Sequence, residues 1–213
     1  MITVPSQIRD FPEWHGGCRH ALVWALEVDT AELRSLVAEG RERLAGIVAP
    51  RYDRQPHVTL AYAGLEPMEG ATPGGHLYRE EDLAADIAAL RAVSPGPLEV
   101  TIGAWGSFSM APYLGVNCPR LPELAGVLAG ASPDYVPHVT LGLYRAAVPM
   151  AEVATRLDGW PAGRLREAEQ RQLRLRVGSV SLLSYETADI AGPLTTVGRL
   201  DLTDGSWTST PAL

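Results

Sequence analysis

The pentapeptide Pro-His-Val-Thr-Leu occurs twice in this chain, at residues 56–60 and again at residues 137–141. An identical run in an otherwise non-repetitive sequence points to two copies of one structural unit. Val, Thr and Leu suit a pleated, half-buried surface, and a proline can open a strand where its missing N–H is not needed. Alternate side chains of a strand share a face, so His57 and Thr59 point one way while Val58 and Leu60 point the other. The second copy repeats the phase, with His138 and Thr140 opposite Val139 and Leu141. Each strand thus stands an imidazole and a hydroxyl above a sheet whose other face is buried. Two of each form a set suited to acid–base chemistry on a phosphate.

A chain of 213 residues, 46% hydrophobic and 20% charged, has enough core for one domain or for two small lobes sharing a cleft. The net charge of −7 argues against an extended nucleic-acid surface, because such binding rests on neutralising many phosphates. A small nucleotide in a locally basic pocket remains compatible with it. The first residues, MITVPSQIRDFPEW, lack the basic-then-apolar order of a secretory leader. No apolar run approaches the roughly 18 residues of a membrane span. Cys18 and Cys118 are too few for a disulfide framework and have no partners at zinc-ligand spacing, so they read as two reduced thiols. A cytoplasmic location is the expectation, with no membrane partner. Nothing in the sequence marks an oligomeric state.

Along the chain, strand and helix patterns alternate. Residues 20–28 read as a buried strand, and Asp29 or Thr30 can cap a helix running to about Leu44. Its apolar face carries Leu33, Leu36, Val37 and Leu44. The first His strand should end at Gly64, followed by an exposed Gly/Pro loop over 66–79 and a helix from about Glu80 to Val93. Residues 98–102 and 113–118 read as strands of a hairpin with a wide, turn-rich loop between them. Short helices are expected over 121–128 and 150–157, the second followed by a polar loop up to about Arg171, and strands over 173–186 and 197–202. A loosely ordered tail is expected from Thr203. No linker divides the chain, so residues 1–213 read as a single bilobal domain, with one half built around His57 and the other around His138.

The duplicated His-x-Thr-x motif resembles the signature of the 2H phosphoesterase superfamily, in particular its 2′-5′ RNA ligase-like and cyclic phosphodiesterase branch. Residues 98–108, with a strand and glycine-rich turn ending in Phe108, are similar to that branch, as are residues 113–116 and the late strand at 173–186. The resemblance spans roughly residues 20–202 and is most specific in the two tetrapeptides. It implies an α+β fold of two pseudo-symmetric lobes, each an antiparallel sheet with outer helices, around a central groove. It also implies chemistry without a metal or other cofactor on 2′,3′-cyclic phosphates or related 2′-5′ linkages. The implied catalytic set is His57, Thr59, His138 and Thr140. The long loop at 66–79 and the acidic balance do not match a tRNA-sized partner.

The residue types suit the task. Opening a cyclic phosphodiester in line needs a base for the incoming water and an acid for the departing sugar oxygen. Histidine serves either role because its unperturbed pKa is about 6.5, and one ring must begin neutral and the other protonated. The Thr hydroxyls can donate to the non-bridging oxygens that carry charge in the transition state. Arg54 and Tyr135 each lie three residues before a motif His and are candidates for a phosphate contact and a base contact. Trp105, Phe108 and Tyr113 are candidates for a stacking platform. His15, His20 and His76 lack the duplication and read as structural or solvated. The resulting expectation is a phosphodiesterase acting on a small nucleotide or RNA terminus with a 2′,3′-cyclic phosphate and leaving a 2′-phosphate. The alternatives are 2′-5′ RNA ligation, hydrolysis of cyclic oligonucleotide signals, and a catalytically silent nucleotide- or RNA-binding module.

Overall fold

The apolar alternation of the His strands has its counterpart in a computed structural model of the chain, which describes residues 1–93, 96–161 and 173–210. The elements in chain order are α1 (Pro12–His15), β1 (His20–Glu27), α2 (Ala31–Arg43), β2 (His57–Leu65), α3 (Glu80–Ala92), β3 (Leu98–Ser107) and β4 (Pro112–Asn117). They continue with α4 (Leu121–Gly126), β5 (His138–Thr140), α5 (Met150–Arg156), β6 (Arg174–Val177), β7 (Ser179–Glu186), β8 (Thr195–Asp201) and β9 (Trp207–Ser209). They form two antiparallel sheets, ordered β2-β1-β7-β8-β9 and β5-β4-β3-β6. Both His strands are therefore edge strands, and β2 and β5 lie against each other where the sheets meet.

Burial fixes which face the motif residues take. Val58, Leu60, Val139 and Leu141 are at most 2% exposed, and burying such a side chain stabilises a fold by about 1.5–3 kcal/mol. A one-residue slip of β2 would exchange Val58 and Leu60 for an imidazole and a hydroxyl in the core, so the register is strongly specified. These four side chains join Leu22, Trp24 and Leu26 of β1 with Val100, Ile102 and Leu114 of β3 and β4 in one continuous core. Residues of both sheets thus share that core.

The helices cover it from outside. Thr30 caps α2 by accepting from the Leu33 N–H at 3.2 Å, which satisfies a donor that the first helical turn leaves free. Gly40 lets α2 approach closely, since a Cβ there would stand 2.6 Å from the Trp160 ring.

The structure departs from the sequence expectations in four places. The turn-rich segment after Ile102 continues β3 to Ser107, so the hairpin closes over residues 108–111 and not through a wide loop. The single strand expected over 173–186 is two strands in different sheets: β6 pairs with β3, and after Gly178 the chain crosses to pair β7 with β1. For the same reason the lobes are not the two halves of the sequence, because β7, β8 and β9 return to complete the sheet of β2. The expected loose tail instead supplies β9, with Trp207 packed at 5.7 Å from Trp24. The polar loop expected up to Arg171 lies largely outside the described residues.

Candidate active site

Each motif histidine is oriented by its own chain. His57 Nδ1 lies 2.7 Å from the Gln55 carbonyl, and His138 Nδ1 lies 2.7 Å from the Val136 carbonyl. A carbonyl can only accept, so Nδ1 carries the proton in each neutral ring and Nε2 is left for chemistry. The intervening Pro56 and Pro137 hold the preceding residue extended, which aims its carbonyl back at the ring. The two rings are also close enough for the charge of one to act on the other.

Around this shared geometry the surroundings differ. His57 is 7% exposed. Burial pushes its pKa down to about 4, and the positive charges of Arg54 and His138 push the same way against the favourable Gln55 carbonyl. His138 is half-buried; burial lowers its pKa as well, opposed by the Val136 carbonyl. Its ring meets Phe108 edge-on, with centroids 4.9 Å apart at 79°, and Tyr113 at 5.4 Å. Phe108 and Tyr113 themselves pack at 4.6 Å. Gly106 makes this possible: it pairs with Tyr113 across the hairpin, and a Cβ at Gly106 would stand 2.6 Å from the Tyr113 ring.

On the first lobe, the loop before β2 builds the wall. Arg54 donates from Nη2 to the Ile190 carbonyl at 2.8 Å, and its guanidinium lies over the Tyr185 ring at 4.1 Å. Its Nε is buried without a protein partner. The Gln55 side chain exchanges two hydrogen bonds with the Leu194 backbone, donating to the carbonyl at 3.1 Å and accepting from the N–H at 2.9 Å. That clamp fixes the residue whose carbonyl orients His57. Beside the His face of β2, Val23, Ala25, Leu183 and Leu194 form a small apolar cluster flanked by Tyr62 and Tyr185. Glu27 pairs in register with His57 but turns its carboxylate to Arg199 at 2.8 Å and to the Thr196 hydroxyl at 3.2 Å.

Of the residues singled out from sequence, the fold brings His57, His138, Arg54, Phe108 and Tyr113 to this region, with Thr59 and Thr140 on the motif faces of their strands. It does not bring Trp105 or Tyr135. A bulge between Ile102 and Trp105 shifts the phase of β3, so Trp105 pairs with buried Leu114 and packs on the core. Tyr135 also packs on the core, where burial raises its pKa and Cys118 adds to the rise. His15 is bonded to Asp10 and His20 to Glu66, each at 2.7 Å, apart from the groove.

Sequence reasoning missed Tyr52. Its phenol interacts with the Thr140 side chain from across the lobe boundary, and burial raises its pKa while Arg54 and Arg41 oppose the rise. Arg41 ties the same junction by donating to the Tyr52 and Leu141 carbonyls, both at 3.3 Å. Tyr52 lies five residues before His57 with no equivalent before His138, so no repeat pointed to it. Among the described residues, no three His, Cys, Asp or Glu side chains converge as metal ligands.

A fold of two edge-joined antiparallel sheets carrying a His-x-Thr pair on each joining strand defines a 2H phosphoesterase architecture. The family model of the 2′-5′ RNA ligase superfamily matches residues 25–189, and the chain belongs to that superfamily. Among solved structures, E. coli LigT complexed with 3′-AMP is similar over 87% of this chain and 99% of that one, at 20% identity and a TM-score of 0.54. A structure described as a phosphoesterase matches over 87% and 99%, at 19% identity and a TM-score of 0.54. A protein of Thermus thermophilus, TT0787, matches over 85% and 97%, at 14% identity and a TM-score of 0.52. At these identities the likeness is one of fold. No curated protein matches the chain.

Proposed function

We propose that this protein is a phosphodiesterase that opens the 2′,3′-cyclic phosphate of a small nucleotide or RNA terminus and leaves a 2′-phosphate. Membership of the superfamily supports phosphodiesterase or ligase-like chemistry in general. The observation that carries the specific reading is the pair of matched imidazoles, each with Nδ1 tied to a carbonyl and Nε2 free. One Nε2 takes a proton from water as the water oxygen bonds to phosphorus. The other gives its proton to the ribose oxygen as the P–O bond breaks. Thr59 and Thr140 donate to the non-bridging oxygens, where fixed donors are worth most because they need no reorganisation. Arg54, with its unpartnered Nε, adds positive charge at the groove, and Phe108 with Tyr113 offers a base an aromatic face.

The small scale of the substrate is supported by two cations of the first lobe that acidic neighbours already hold. Arg199 is engaged by Glu27, and Arg51 by Asp53 and Asp189, so neither is free to neutralise a phosphate chain. The 3′-AMP complex of LigT, a protein of the same fold, supports a ligand of mononucleotide size. The four motif residues perform the proton transfers and charge stabilisation, so the reaction needs no metal. The test is incubation with nucleoside 2′,3′-cyclic monophosphates in EDTA, with products resolved by phosphorus NMR. The expected product is the 2′-phosphate at a rate unaffected by the chelator. Absence of turnover, or turnover that returns only with a divalent cation, would overturn the reading.

A further inference from the structure

We propose that the cavity between β2, α3 and the turn after α4 binds a small organic cation, an ammonium group on an apolar body, with Asp86 as its counter-ion. The proposal is independent of the reaction assigned to the groove. The cavity has a volume of about 330 Å³, toward the lower end of the roughly 300–1,000 Å³ of small-molecule sites. Trp24 lines it, from the face of β1 opposite to Val23 and Ala25, and pairs in register with Ala61. None of the four motif residues lines it, so the cavity lies behind the sheet that carries His57.

Local pairing builds its walls. Residues 76–78 run alongside the end of β2: the Leu65 N–H donates to the His76 carbonyl and the Tyr78 N–H to the Leu65 carbonyl, both at 2.8 Å. That brings Tyr78 against α3, where its hydroxyl donates to Asp86 Oδ2 at 2.8 Å. Trp24 Nε1–H donates to the same oxygen, also at 2.8 Å. Burial, and after it Asp86, raises the pKa of Tyr78, which keeps its phenol a donor. Ala61 and Ala63 of β2 and Ala85 of α3 are too short to fill the space between the elements. Gly130 seals one side, since a Cβ there would stand 1.8 Å from the Tyr62 carbonyl oxygen.

The charge inside is what calls for a ligand. Asp86 is 7% exposed, and a carboxylate so deeply buried is normally paired with a cation. Both of its donors are neutral and both end on Oδ2. Among the described residues, no ion pair joins Asp86 and Oδ1 accepts no hydrogen bond. Asp82 adds a second negative charge, and His76 answers Asp82, with Nε2 3.7 Å from its carboxylate. The chain contains no lysine, so no side-chain ammonium of its own can enter. The remaining lining, with Leu128 and Ala129 beside the three alanines, suits hydrocarbon. A bare metal ion wants several oxygen ligands, and among the described residues no three His, Cys, Asp or Glu converge to hold one.

Calorimetric titration of the full chain at neutral pH tests the site, using n-hexylammonium and 2-phenylethylammonium chlorides with 1-hexanol and 2-phenylethanol as neutral matches. At least one ammonium should bind one to one, about tenfold or more tighter than its alcohol, because the ammonium bonds a charged acceptor. Asp86→Asn keeps an acceptor for Trp24 and Tyr78 and should weaken the ammonium by about tenfold or more while leaving the alcohol unchanged. Ala85→Leu, at an exposed position of α3, narrows the cavity without touching those bonds and should weaken ammonium and alcohol alike. It carries the test alone should Asp86→Asn fail to melt cooperatively. Binding of neither ammonium, or alcohols that bind as tightly, would overturn the proposal. So would an ammonium affinity that a folded Asp86→Asn or Ala85→Leu variant leaves unmoved.

Discussion

The strands β2 and β5 carry the same five residues and the same ring-to-carbonyl bond, yet they sit in unlike places. β2 is nine residues long, paired with β1 along its length, and its His is enclosed beside a guanidinium. β5 is three residues long, and its His is half-buried against two aromatic rings. Gln55, which orients His57, is clamped by Leu194, while its counterpart Val136 is 40% exposed. The contrast teaches that a local motif fixes the tautomer of a histidine and its neighbours fix its charge. A duplicated motif thus yields two groups alike in geometry and unlike in proton affinity, which acid–base catalysis requires.

The largest expected effect concerns the motif residues as a unit. Each His→Gln change should cost at least about 10²-fold in kcat/KM, and the double change should cost less than the product of the two. Near-wild-type turnover by a folded His138→Gln variant would break the comparison, since β5 would then be a structural copy only.

A second effect lies in acid stability. The folded-state pKa of His57 is depressed to about 4 from 6.5 in the unfolded chain, so the folded form binds fewer protons. The stability tied to its neutral ring is fully present above about pH 6.5 and is lost as pH falls toward 4, on the order of 3 kcal/mol in all. Urea unfolding across that range should lose this increment in the unaltered protein and in His138→Gln. His57→Gln should lack it. Equal acid sensitivity of the two variants would show that the strands are electrostatically equivalent.

A smaller effect tests the junction between the lobes. Tyr52→Phe removes the hydroxyl that meets Thr140 and should lower turnover by about 1 kcal/mol, roughly fivefold. A double-mutant cycle should show coupling with Thr140→Val and additivity with Thr59→Val. Coupling to both would mean that Tyr52 acts on the groove as a whole. The smallest effect is at Phe108, an exposed ring. Phe108→Ala should raise KM severalfold, in line with about 0.5–1.5 kcal/mol for an aromatic contact, with little change in melting temperature. A pure loss of stability would return Phe108 to a packing role.

The strand phase of both motifs, the helices after β1 and β2 and a cap at Asp29 or Thr30 were legible because they rest on local alternation, local periodicity and a side chain meeting its own backbone. The sheet order was not. β6 and β7 read as one apolar strand, and only partners far away in the chain part them at Gly178. The aromatic candidates divide for a similar reason. Phe108 and Tyr113 reach His138, whereas one extra residue between Ile102 and Trp105 turns Trp105 to the core, and a bulge leaves no mark in the hydrophobic pattern. Tyr52 and Gln55 gave no signal because their partners, Thr140 and Leu194, belong to distant elements.

The sequence by itself determined that two imidazoles and two hydroxyls stand on the polar faces of two strands, because side-chain alternation is a property of any extended L-peptide. Only the tertiary structure decided that those strands are edge neighbours, and that one ring is shut in beside Arg54 while the other keeps water and two aromatic faces. Desolvation and the field of nearby charges depend on what the whole chain packs around a group, and no five-residue motif carries that information.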